Sequence, residues 1–92
     1  MGELHIYVKG RDVEKIATCI RRAYPDGFEV RVLSDVIVVS DSDSDYEDRY
    51  EFEVGRTHVR IICPGSAEDS WPYIISELLD EFGWENVKWM KG

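Results

Sequence analysis

Arg49-Tyr50-Glu51-Phe52-Glu53-Val54-Gly55-Arg56-Thr57-His58-Val59-Arg60-Ile61-Ile62 alternates apolar and polar residues on both sides of one glycine. A period of two marks a strand with one buried face, and two such runs joined by a short turn make a hairpin. Gly55-Arg56 has the glycine-first form of a two-residue II′ turn. That turn pairs Val54 with Thr57, Phe52 with Val59 and Tyr50 with Ile61. The other face then sets Glu53 against His58 and Glu51 against Arg60, opposite charges in register. A slip of one residue would turn every apolar side chain to water, so the pairing is well specified.

Upstream, Phe28, Val30 and Val32 alternate, and Val36-Ile37-Val38-Val39 returns after Ser34-Asp35. This predicts a further hairpin, with one long bent strand over 28–40 as the alternative. Leu4, Ile6 and Val8 alternate with His5, Tyr7 and Lys9 as a first strand. Asp12 can cap a helix whose Val13, Ile16, Ala17, Ile20 and Tyr24 form one apolar stripe, and Pro25-Asp26-Gly27 ends it.

Downstream, Pro64-Gly65 turns the chain, and Ser66-Ala67-Glu68-Asp69 is similar to a capping box. Pro72 belongs in a first turn, so the helix is expected from Asp69 or Ser70, burying Trp71, Ile74, Ile75, Leu78, Leu79 and Phe82. Gly83 stops it, and a last strand covers Trp84 to Met90 with Val87 and Trp89 on one side.

The predicted class is α+β: two helices on one face of a mainly antiparallel sheet, ferredoxin-like, as β-α-β-β-β-β-α-β or the plain β-α-β-β-α-β. Ninety-two residues make one compact domain over 1–92. His5, Tyr7, Glu51, Glu53, His58 and Arg60 are expected on the open sheet face.

Nineteen acids against eleven bases give a net charge of −8, which disfavours direct binding to nucleic acid or to an anionic membrane surface. Residues 35–54 alone hold eight acids and one Arg, so almost all the net charge lies in one segment, with an acidic loop expected at about 41–48. The apolar runs are too short to span a bilayer, and no basic segment followed by a long apolar run opens the sequence. Cytoplasmic location is expected. Cys19 and Cys63, 44 positions apart with no CxxC, are expected as reduced, buried small hydrophobes.

Chemical motifs mostly fail. Asp41-Ser42-Asp43-Ser44-Asp45 begins like a calcium loop, but Tyr46 stands where glycine must turn and Phe52 where the bidentate Glu belongs. Cys63 to Ser66 precedes a helix as a phosphate loop would, yet Asp69 stands where a CxxxxxR loop needs Arg. No Walker loop, GxGxxG, HExxH or GxSxG occurs. No catalytic residue, metal or cofactor is expected, with His5, Glu53 and His58 as the alternative acid–base or metal set.

Ile6-Tyr7-Val8-Lys9-Gly10, followed by a helix and Val30-Arg31-Val32, is similar to the opening of RNA-recognition-motif domains. That resemblance implies a base-stacking role for Tyr7 and a second signature at Arg49–Val54, where glycines are missing and two acids stand on the would-be binding face. In size and charge the chain resembles phage-encoded DNA-mimic inhibitors of the anti-restriction and anti-CRISPR kind. The resemblance implies a non-enzymatic protein that occupies a basic, nucleic-acid-binding partner surface through Asp41, Asp43, Asp45, Tyr46, Glu47, Asp48, Glu51 and Glu53. Tyr50 is either a second aromatic anchor or part of the core.

Overall fold

The computed structural model describes residues 2–92. Eight regular elements follow in chain order: β1 (Leu4–Lys9), α1 (Val13–Arg22), β2 (Phe28–Val32), β3 (Val36–Asp41), β4 (Glu47–Val54), β5 (His58–Cys63), α2 (Trp71–Phe82) and β6 (Val87–Lys91). Short 3-10 turns at Gly65–Ser70 and Trp84–Asn86 lead into α2 and β6. The strands form one open sheet in the order β2-β3-β4-β5-β1-β6, antiparallel throughout.

The α+β class and the element order agree with the sequence. The strand order is not that of a clear ferredoxin-like sheet, because β5, β4 and β3 all lie between β1 and β2. Val30 pairs with Val39 in separate strands, which excludes one bent strand over 28–40 and with it the plain four-stranded form. The Leu33 N–H donates to the Val36 carbonyl at 2.8 Å, closing the turn at Ser34-Asp35 where it was expected.

Both helices cover one face. Leu4, Ile6 and Val8 of β1, Tyr50 and Phe52 of β4, and Val59 and Ile61 of β5 pack there against Ile16 and Ile20 of α1 and Ile74 and Leu78 of α2. Asp12 caps α1 by accepting from the Lys15 N–H at 3.0 Å. Glu81 of α2 ties the helices together, 3.2 Å from Arg22 and 3.7 Å from Lys15. Gly83 ends α2 at φ 91°, a backbone that an L side chain rarely adopts, and its N–H donates to the Leu79 carbonyl.

Two local expectations are corrected. In the β4–β5 hairpin Val54 pairs with Val59, Phe52 with Ile61 and Glu53 with Arg60, two residues away from the predicted register. The Gly55 N–H donates to the His58 carbonyl at 2.8 Å, so the central residues are Arg56 and Thr57. Gly55 does not have the positive φ that a II′ turn needs. Its role is close approach: a Cβ there would stand 3.0 Å from the His58 carbonyl oxygen. An even shift keeps each residue on its own face, which is why the burial expectations survive.

The second correction is at the start of α2. Ser66 caps nothing, because its hydroxyl donates instead to Asp48 at 3.0 Å. The α-helix begins at Trp71, with Pro72 in its first turn as expected.

Candidate functional site: the acidic end of the sheet

β3 and β4 are joined by a short hairpin loop, not by a long acidic connection. The Asp41 N–H donates to the Tyr46 carbonyl at 3.2 Å, and from Glu47 onward the acidic run is strand. Asp41 shapes the loop: its carboxylate accepts from the Asp43 N–H at 3.0 Å and the Ser44 hydroxyl at 3.2 Å, a local turn of the kind Asp favours. Asp43 and Asp45 are exposed.

Strand periodicity divides the rest. Glu47, Arg49, Glu51 and Glu53 are exposed on the open face, while Asp48, Tyr50 and Phe52 point into the core. Glu47 lies 3.1 Å from Arg49 and Glu53 2.6 Å from Arg60, so two of the predicted partner-binding acids already have basic partners. Glu53 holds the Arg60 guanidinium still more firmly protonated.

Asp48 is the largest correction. It is 1% exposed and cannot meet a partner. One carboxylate oxygen accepts from the Tyr24 hydroxyl at 2.7 Å and the Tyr46 hydroxyl at 2.9 Å, the other from Ser66 at 3.0 Å. Tyr50 is fully buried, and its hydroxyl bonds to that of Tyr24, so it belongs to the core and not to the surface. A buried carboxylate is tolerable only with its lone pairs occupied, and here three hydroxyls occupy them. The strand parity shared by Asp48, Tyr50 and Phe52 was the signal for this placement.

The network positions the loop. Tyr46 remains 45% exposed, yet burial and then its bond to Asp48 push its phenol up to about 12. Its ring meets Phe28 edge-on at 6.3 Å, and its hydroxyl reaches the Ser66 carbonyl at 3.5 Å. Ser42 bonds the Gly27 carbonyl through both its N–H and its hydroxyl. Three distant segments therefore meet at one end of the sheet: Asp26 beside Gly27, Asp43 and Asp45 in the loop, and Glu68 and Asp69 after Ser66. Asp69 is close enough to act electrostatically on Tyr46. Asp26 and Asp69 are not legible in the sequence as neighbours of the loop, because only the fold brings them there; Glu68 stands at the same end of the sheet but farther along it, beside Leu4 and Lys91. Lys9, Arg11 and Arg56 gather at the opposite end, where the Gly10 N–H bonds the Thr57 carbonyl at 2.7 Å.

The alternative set of His5, Glu53 and His58 is not assembled. His5 pairs with Glu3 at 3.0 Å, His58 with the Thr57 hydroxyl at 2.8 Å, and Glu53 with Arg60. Among the described residues no group of three His, Cys, Asp or Glu side chains is placed to hold a metal. Cys19 and Cys63 are free thiols in the core, pushed by burial up to about 11 and about 12. No helix among the described residues is long and apolar enough to cross a membrane.

No family model and no curated protein matches this chain. Among solved structures, the NMR structure of PA4090 from Pseudomonas aeruginosa is similar over 98% of this chain and 96% of that one. The TM-score is 0.54 at 17% sequence identity, a likeness that shows the α+β fold alone.

Proposed function

We propose that this chain is a non-enzymatic cytoplasmic interaction protein whose acidic end docks on a basic, nucleic-acid-binding surface of a partner protein, in the manner of a DNA mimic. The observation that carries this reading is the convergence of Asp26, Asp43, Asp45, Glu68 and Asp69 from three chain segments onto one end. Solvated loop charges contribute little to stability, so such a concentration acts mainly outward, by attracting opposite charge. Tyr46, half exposed at its centre, is the short-range anchor, since aromatic residues dominate the energy of many interfaces. Glu47, Glu51 and Glu53 flank this end as weaker contributors, and Asp48 acts by holding the loop in place. On this reading β6, β1, β5 and β4 make the ferredoxin-like frame, which β3 and β2 extend.

The test is a pull-down from host lysate with the wild type and a variant carrying D26N, D43N, D45N, E68Q and D69N. The wild type should retain a salt-eluted partner that DNA displaces, and the neutral variant should lose it. Equal recovery by both proteins would end the proposal.

A further inference from the structure

The two ends of the sheet are β2 and β6. An edge strand shows a row of unpaired N–H and C=O groups that another chain can extend. Two hydrogen bonds fix which groups those are on β2. The Leu33 N–H donates to the Val36 carbonyl at 2.8 Å, and the Ser42 N–H to the Gly27 carbonyl at 3.2 Å. Residues of an antiparallel pair alternate between bonding their neighbour strand and facing away from it. Glu29 and Arg31 therefore bond β3, and Phe28, Val30 and Val32 turn their backbone groups to the free edge. Side chains follow the same parity: Phe28, Val30 and Val32 are half-buried on the helix side, while Glu29 and Arg31 are exposed on the open face. Glu29 and Arg31 make no ion pair among the described residues, and their β3 neighbours Ser40 and Val38 are uncharged. Two hollows of about 520 and 310 Å³ run between α1 and β2 and meet at Arg21 and Val30.

We infer that two copies of this chain associate edge to edge through β2, with the strands antiparallel about a two-fold axis at Val30. That register sets Phe28 opposite Val32 of the second copy, Val30 opposite Val30, and Glu29 opposite Arg31 twice over. The outward groups of Phe28, Val30 and Val32 then make about six main-chain hydrogen bonds, and the Glu29–Arg31 pairs fall where side chains approach most closely. Opposite charges facing each other across a ladder stabilise it, and like charges oppose it. Sliding by two residues keeps the backbone alternation but sets Glu29 against Glu29 or Arg31 against Arg31. One register alone satisfies backbone and charge together. β6 offers no such match, because Lys88 and Lys91 are its only charged residues. The axis stands normal to the sheet and points the acidic ends of the two copies in opposite directions, so the contact is independent of that end.

The test is sedimentation velocity of the whole chain from about 10 µM to 1 mM, bracketing a dissociation constant on the order of 100 µM for a small interface. E29R alone and R31E alone should each weaken the dimer roughly 10-fold or more, because each turns two attractive pairs into repulsive ones. Mixed in equal amounts, the two variants should form a heterodimer about as tight as the wild-type dimer, since every facing pair is again of opposite sign. That recovery also excludes loss of the fold as the cause of the single effects. The double swap E29R/R31E should dimerise as well, and D43N/D45N should match the wild type. A chain that stays monomeric throughout this range overturns the inference. So does a dimer that E29R and R31E leave intact, which assigns the contact to another surface such as the β6 edge. Variants that remain monomeric when mixed overturn it too.

Discussion

Residues 41–46 and residues 47–53 are acidic to a similar degree in sequence and unlike in space. The first stretch is a hairpin loop whose carboxylates face water or fold back on their own backbone. The second is a strand, where alternation sends Asp48 into the core and puts Glu47 and Glu53 against arginines. In a strand only every second member of a charged run reaches the surface, whereas in a loop consecutive members can. The effective acidic surface accordingly draws on residues far outside the run.

The sharpest break of this comparison is Asp48→Ala. It removes the acceptor for Tyr24, Tyr46 and Ser66, leaving hydroxyls in or near the core without partners. The expected cost is about 3 kcal/mol, from bonds to a charged group worth roughly 1.5–3 each in a partly relaxed site. That is a large share of the ~5–14 kcal/mol expected for a domain of this length. Urea unfolding should show it, with Asp48→Asn losing about half as much. A wild-type midpoint for D48A would mean that the network is idle.

Alkaline pH should come next. Burial raises the phenols of Tyr24, Tyr46 and Tyr50 and the thiols of Cys19 and Cys63 in the folded state. The folded chain then keeps protons that the unfolded chain releases, so this contribution is complete at neutral pH. It falls from about pH 8, where thiols of the unfolded chain begin to ionise, and further from about pH 9 upward with its phenols. Absorbance at 295 nm should show Tyr24 and Tyr50 ionising only as the protein unfolds. Ionisation of Tyr24 and Tyr50 near pH 10 in the folded protein would contradict the buried network. The two thiols should likewise resist a disulfide reagent in the native protein and react at once in denaturant.

The smallest effect should be Asp43→Asn with Asp45→Asn, within about 0.5 kcal/mol of the wild type in the same urea experiment. A loss as large as that of D48A would mean that loop and strand do not differ as described.

Much of the fold was legible because its signals are local. Asp12, Pro72 and Gly83 set the helix ends, and alternation set the faces of β1, β2, β4 and β5, whereas Val36 to Val39 of β3 are buried on both faces. What escaped depends on contacts distant in sequence. The β4–β5 turn moved by one position because Gly55 serves a close approach instead of a positive φ, and because β1 holds Lys9 opposite His58. Ser66 reads as a cap until Asp48, eighteen residues earlier, is placed beside it. Of the predicted surface, Asp41, Asp43, Asp45 and Tyr46 lie in or bound the loop, and Glu47, Glu51 and Glu53 stay exposed on the adjoining sheet face. Asp48 and Tyr50 do not, and their parity with Phe52 was readable. Asp26, Glu68 and Asp69 could be found only from the fold.

The most direct test of the acidic end is its association rate with the captured partner, followed by stopped flow from low to high salt. The wild type should associate roughly 10- to 1,000-fold faster than the D26N/D43N/D45N/E68Q/D69N variant at low salt, with the gap closing as salt rises. Equal rates at every salt concentration would contradict the account and leave the loop as a solubilising element.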